Sequence, residues 1–234
     1  MNLFSKAILS AAIIGIALTG CGEKKDNHLK VGAIAGAETQ VAEEAAKIAK
    51  EKFGLEVEIV QFSDFATPNV ALNDGSIDVN AFQHKPYLDS QIKDRGFKLV
   101  AVGNTFVYPI AGYSKKIKNI SELKEGSQIA VPNDPTNLGR SLLLLQKQGL
   151  LKLKDGSGLT ATVLDIVENP KKVKIVELEA AQLPRALEDV DLAIINTVYA
   201  SQVNLQPTRD GLFVEDKDSP YVNLIVAREN NQND

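Results

Sequence analysis

The sequence predicts an α/β fold built as two lobes, on three observations. Helical and strand periodicities alternate along the chain. A pattern that closes a helix and starts a strand with an Asp occurs twice, at Leu72-Asn73-Asp74-Gly75-Ser76-Ile77-Asp78-Val79 and at Leu187-Glu188-Asp189-Val190-Asp191-Leu192. A late apolar strand, Tyr221 to Ala227, is placed to return to the first lobe. Such a return gives two crossings between lobes and leaves a cleft between them. The repeat is short enough to arise by chance, so equivalence of the lobes is an expectation.

The elements follow in order. Leu29 to Ile34 reads as a strand, and Val41, Ala45, Ile48, Ala49 and Phe53 keep helical spacing up to Gly54, a C-terminal cap. Leu55 to Val60 alternates as a half-buried strand does. Thr67 is expected to cap a short helix with Pro68 at its first position, closed by Asn73-Asp74-Gly75. Ile77 to Phe82 is a strand, Pro86 opens a helix that Gly96 stops, and Leu99 to Tyr108 is the next strand. This βαβαβ order argues for a mainly parallel sheet covered by helices.

A second unit begins near Pro109. It holds a strand from Ile110 to Tyr113, a helical turn from Ser121 to Lys124 and a strand from Gln128 to Val131. A helix runs from Asn137 to about Gln148, and Val173 to Val176, Ala186 to Asp189 and Leu192 to Asn196 repeat the strand–helix–strand rhythm. The expected division is lobe 1 from 29–108 plus 206–234 and lobe 2 from 109–205.

Composition excludes several function classes. The 234 residues are 44% hydrophobic and 24% charged, as in an ordinary globular protein. Lys and Arg number 26 against 30 acids, and only pairs such as Lys24-Lys25, Lys115-Lys116 and Lys171-Lys172 concentrate positive charge, which argues against nucleic acid as a partner. One Cys and two His are too few for a structural zinc site or a disulfide framework. Phosphate-loop, dinucleotide and nucleophile-elbow motifs are missing, so neither a cofactor nor a metal is expected.

The first 20 residues read as a secretory signal. Ala7 to Leu18 is an apolar run too short to span a bilayer, and the segment ends Leu18-Thr19-Gly20-Cys21, which resembles a bacterial lipobox. In that signal the Cys is acylated and becomes the first mature residue, and several acyl chains anchor firmly. Residues 21–28 then form a polar tether, which places the globular part outside the cytoplasm beside a membrane.

The residues that stand out are of binding type. Phe65 precedes a helix, while Phe82, His84 and Tyr87 lie between a strand end and a helix start, where open α/β sheets hold ligands. By spacing alone Phe82 suits a core and Tyr87 a helix face equally well. Arg140 lies about one turn into a helix after Asp134-Pro135-Thr136-Asn137, where free N–H groups and a guanidinium favour an anion; a solvated helix arginine fits the pattern too. Asn196 and Asn223 sit in or beside apolar strands, and each amide must bond either to backbone or to a ligand.

These residues fall in longer motifs. Ala81-Phe82-Gln83-His84-Lys85-Pro86-Tyr87-Leu88, Gly103-Asn104-Thr105-Phe106-Val107-Tyr108-Pro109 and Val131-Pro132-Asn133-Asp134-Pro135-Thr136-Asn137-Leu138-Gly139-Arg140 resemble the MetQ (NlpA) family, as do Ile195-Asn196-Thr197 and Ser219-Pro220-Tyr221-Val222-Asn223-Leu224. The family comprises substrate-binding lipoproteins of methionine ABC importers. The resemblance implies a type II, periplasmic-binding-protein-like fold that closes on methionine, L or D, and delivers it to permease and ATPase subunits, with no reaction of its own. Carried over, Arg140 holds the α-carboxylate, Asn196 and Asn223 bond the head group, Phe65, Phe82, His84 and Tyr87 line the side-chain pocket, and Cys21 carries the lipid anchor in the cell envelope, facing the periplasm or the exterior.

Two departures stand out. Phe65 occupies a place where the family often has Tyr, and family members usually continue a few dozen residues further, with helices packed on lobe 1. An exposed apolar patch on that lobe and reduced stability are therefore expected. Rival readings are an enzyme with His84 as general base and a surface lipoprotein whose cleft is vestigial.

Overall fold

The computed structural model describes residues 27–233. The lipobox, Cys21 and most of the tether therefore lie outside the described residues. No helix among the described residues is long and apolar enough to cross a membrane.

The first lobe opens with β1 (His28–Ile34), α1 (Ala37–Phe53), β2 (Glu56–Phe62), α2 (Thr67–Asp74), β3 (Val79–Asn80), α3 (Lys85–Arg95) and β4 (Leu99–Val107). The second carries β5 (Ala111–Tyr113), β6 (Gln128–Pro132), α4 (Pro135–Lys147), the small hairpin β7 (Lys152–Leu153) and β8 (Ile166–Glu168), and β9 (Lys174–Leu178). It continues through α5 (Leu183–Ala186), β10 (Leu192–Ile195), α6 (Thr197–Gln202), α7 (Pro207–Asp210) and β11 (Phe213–Val214), before β12 (Val222–Arg228).

The strands form two five-stranded sheets, ordered β2-β1-β3-β12-β4 and β11-β5-β10-β6-β9. Each has a parallel core, β2-β1-β3 in one and β10-β6-β9 in the other. The antiparallel members are those next to the crossings: β12 pairs antiparallel with β3 and β4, and β5 with β10 and β11. The late strand thus inserts into the first sheet, as its apolar run suggested. The second sheet reaches Val214, past the boundary expected at 205.

Several expected elements shift, each for a local reason. Thr67 does not cap α2 but is its first residue; the Asp64 carboxylate accepts from the Ala66 and Thr67 N–H groups and the Thr67 hydroxyl instead. The strand expected over Ile77–Phe82 shrinks to Val79–Asn80, since the side chains of Asn80 and Gln83 bond Asn69 in a buried amide cluster. The third helix starts at Lys85, one residue before Pro86, because His84 caps it. α4 begins at Pro135, two residues early, with Asp134 as its cap. Asn196 is not in a strand; it stands at the N-cap of α6. The helical residues expected over Ala186–Asp189 lie earlier, at Leu183–Ala186, and the turn near Ser121 is a 3-10 turn over Ile120–Glu122.

Three apolar clusters hold the molecule. One lies in the second lobe, where Leu142 and Leu145 of α4 meet Ile129, Leu192 and Ile194. Another lies in the first, around Leu72, Ile77, Leu99 and Val226. The third joins the lobes, since Ile34, Phe82 and Tyr87 pack with Leu183, Ile195 and Tyr199. Backbone proximity at this junction is close. Gly36, at φ 117°, starts α1, and a Cβ there would sit 3.0 Å from the Val198 carbonyl oxygen of α6.

Gly139 is a second close approach. Any Cβ at that position of α4 would fall inside contact distance of the Leu159 carbonyl. Gly139→Ala is expected to destabilise the protein by about 1–3 kcal/mol, measured by urea unfolding, because backbone must shift to admit the methyl group.

The outer face of the first lobe carries an apolar groove between α1 and the sheet, lined by Leu29, Val31, Val41, Ala45, Phe106 and Ile225. Val41 is 41% and Phe106 55% exposed.

Candidate functional site

All seven residues singled out as a site line one cavity between the lobes. Phe65, Phe82, His84, Tyr87, Arg140, Asn196 and Asn223 are joined there by Glu38, Gln83, Tyr108, Asn137, Thr197 and Val198. The cavity holds about 30 Å³, room for about one or two water molecules, so a larger ligand enters only when the lobes or rings move apart.

One wall is aromatic. Phe65 stands 6.0 Å from Phe82 and 4.9 Å from Tyr199, and Tyr87 meets Phe82 edge-on at 5.9 Å. The Tyr87 hydroxyl donates to the Phe65 carbonyl at 2.7 Å, which turns its polar end away and leaves ring surface toward the cavity. The buried cluster of Asn69, Asn80 and Gln83 pins α2 to the segment that carries Phe82 and His84. Side-chain hydrogen bonds thus set that segment where strand pairing stops.

His84 has a structural task. Its Nδ1 accepts from the Tyr87 N–H at 3.1 Å, so the proton sits on Nε2, which donates to Asn137 Oδ1 at 3.3 Å. Burial above all, and then the nearby Arg140 charge, push its pKa down to about 3. The ring is neutral at ordinary pH, and both nitrogens are engaged.

Asn137, which sequence reasoning passed over, organises the polar wall. Its Nδ2 donates to both oxygens of Asp134, which turns its Oδ1 toward the cavity. That oxygen accepts from His84 of the first lobe and, at 3.0 Å, from Asn196 Nδ2 of the second. Asn196 is therefore oriented with Oδ1 away from Asn137, a buried acceptor with no partner among the described residues. The expectation of free N–H groups at the start of α4 is corrected in part, because the Asp134 carboxylate already caps the Asn137 N–H.

Arg140 lines the cavity and is 3% exposed, which rules out a solvated surface arginine. Its fork is not free as expected. Nε donates to Glu215 Oε1 at 2.8 Å, Nη2 donates to Glu215 Oε2 and to the Tyr108 carbonyl, and the guanidinium lies 4.3 Å over the Tyr221 ring. Nη1 stays outside these bonds. Tyr108 follows β4 on the first crossing between lobes, while Glu215 and Tyr221 lie on the second. The arginine is thus tied to both crossings at once.

The remaining wall belongs to the first lobe. Asn223 donates through Nδ2 to the Phe82 carbonyl at 3.0 Å and to Glu38 Oε1 at 3.2 Å. Glu38, at the second position of α1, also accepts from the Ile34 N–H. Burial outweighs these bonds and holds its carboxyl well above the usual carboxylate range. No group of three or more metal-binding side chains occurs among the described residues.

Two five-stranded α/β lobes joined by two crossings, with a polar and aromatic cavity at the seam, define the substrate-binding-protein class. Known proteins agree. Residues 29–234 match the NlpA lipoprotein family. The D-methionine-binding lipoprotein MetQ of Escherichia coli K12 is 70% identical over 230 residues, 97% of this chain and 85% of that protein. A crystal structure of the methionine binding protein MetQ superposes with a TM-score of 0.88 at 72% identity, covering 88% of this chain and 85% of that one. A nutrient binding protein from Burkholderia cenocepacia, solved bound to methionine, gives 0.86 at 54% identity over 88% and 86% of the two chains. The chain belongs to the NlpA lipoprotein family.

Proposed function

We propose that the protein captures methionine in the cavity between its lobes and delivers it to an ABC importer, held to a membrane of the cell envelope through an acylated Cys21. The observation that carries this reading is the joining, in one buried cavity, of the Arg140 guanidinium with the rings of Phe65, Phe82 and Tyr87. A thioether is apolar and polarizable, and each sulfur–aromatic contact contributes about 0.3–1.5 kcal/mol, so an aromatic wall suits methionine. Arg140 then takes the α-carboxylate through Nη1, while Asn196 and Asn223 bond the head group. Because the cavity is small, methionine enters a more open arrangement, and closure of the lobes around it then excludes water and strengthens the polar contacts.

Catalysis through His84 has little to support it. A general base needs a free lone pair, and Nδ1 spends its own on the Tyr87 N–H.

Thermal melting tests the reading. With methionine about 1,000-fold above its Kd, stabilisation of about 4 kcal/mol is expected, at roughly 2–4 °C per kcal/mol for a chain of this size. Alanine and glutamate should give little. Equal shifts with all three amino acids, or none with methionine, overturn it.

A further inference from the structure

Glu38 is a costly residue where it stands. It is 5% exposed, it lines the cavity, and among the described residues no salt bridge joins it to a cation. Its polar partners are two donors, the Ile34 N–H on Oε2 at 3.3 Å and the Asn223 Nδ2 on Oε1 at 3.2 Å, and neither carries a charge. These donors account for two acceptor oxygens, but not for an acid shut away from water with no cation beside it among the described residues. Asn196 Oδ1 lines the same cavity, buried and unpartnered, and is likewise an acceptor in want of a donor. The cavity's own cation, Arg140, turns Nε and Nη2 to Glu215 and the Tyr108 carbonyl rather than to either group. An acid without a counter-ion and an orphan acceptor in one enclosed space describe a site for an ammonium group.

We propose that Glu38 is the residue that selects for the α-amino group of the bound amino acid, pairing with it as the ligand's counter-ion, with Asn196 Oδ1 as a second acceptor. This rests on the cavity being the methionine site. It makes the polar recognition two-signed: Arg140 of the second lobe takes the carboxylate, and Glu38 of the first takes the ammonium, so the ligand itself bridges the lobes.

The pairing has a proton consequence. In the empty cavity burial favours the neutral acid, and an arriving ammonium favours the carboxylate, so binding releases a proton. Affinity then rises with pH until Glu38 is ionised in the empty protein and levels off above that point. The titratable groups that feel the Glu38 charge are the phenols of Tyr108 and Tyr199, both pushed upward by burial and both neutral in this range. His84, Tyr87 and Arg140 line the same cavity; the first is pushed down to about 3 and the second is raised, so neither changes charge near neutrality, and the guanidinium stays charged.

The test compares the protein with its Glu38→Gln variant by isothermal titration, using methionine and its des-amino analogue 4-(methylsulfanyl)butanoate. Glutamine keeps the size and one acceptor, enough for the Ile34 N–H or for Asn223 but not for both, so the melting temperature without ligand and the affinity for the des-amino analogue control for local disturbance. Methionine affinity should fall roughly 30-fold or more in the variant, while the des-amino analogue binds both proteins with the same weak affinity. Titrations at a series of pH values in two buffers of different ionisation heat should reveal proton release in the wild type where Glu38 is neutral in the empty protein, and none in Glu38→Gln. Unchanged methionine affinity in the variant, an equal loss for both ligands, or buffer-independent heats in the wild type at every pH each overturn the proposal. A wild type that binds no methionine at all fails earlier, at the assignment of the cavity, and takes the proposal with it.

Discussion

Replacing Arg140 by alanine is expected to abolish the methionine-induced rise in melting temperature and to destabilise the protein by about 3–5 kcal/mol. Both effects come from one geometry. The guanidinium is 3% exposed and the Glu215 side chain 13%, so truncation leaves a carboxylate buried without its cation. The Tyr108 carbonyl and the Tyr221 ring lose their partner as well. A double variant, Arg140→Ala with Glu215→Gln, separates the two effects. It removes the stranded charge and should recover part of the stability, yet show no response to methionine. If Arg140→Ala alone still responds as the wild type does, the guanidinium is not part of the ligand site. Because Arg140 also holds both crossings, its variants should lose their grip on lobe closure together with the carboxylate.

Phe82→Ala is the second large effect, about 3–5 kcal/mol of stability by urea unfolding. The ring is 4% exposed and packs between Phe65 and Tyr87 in the cluster that joins the lobes, so little can collapse into the space it leaves. Phe82→Leu keeps most of the volume and should cost under about 1.5 kcal/mol. It removes a ring face, so methionine affinity should drop by up to about tenfold, the value of one sulfur–aromatic contact. A loss below about 1 kcal/mol in Phe82→Ala would mean that the ring is not packed as described.

The site was legible where residue type betrays its environment. An arginine at a helix start after a strand, amides beside apolar strands and a run of aromatics at a strand end are each costly unless something meets them. All of these line the cavity. What escaped was chosen by partners distant in sequence. Glu38 reads as an ordinary first-turn acid of an amphipathic helix, and only its burial against Asn223, 185 positions away, marks it. Glu215 lies in the acidic stretch Glu215-Asp216-Lys217-Asp218, which reads as a solvated loop, until Arg140 is placed against it. Asn137 looks like one more residue of a helix start, although Asp134 before it signalled the cap that orients it.

Local chemistry alone determined the alternation of strands and helices, the glycine stops at Gly54, Gly75 and Gly96, and the late apolar strand, because periodicity and backbone freedom act within a few residues. Only the tertiary structure decided that the Arg140 fork is shared with Glu215, that His84 is a neutral cap and that Glu38 is buried with no counter-ion among the described residues. Those states depend on which groups are shut away from water together, and burial is a property of the packed lobes that no single stretch of chain contains.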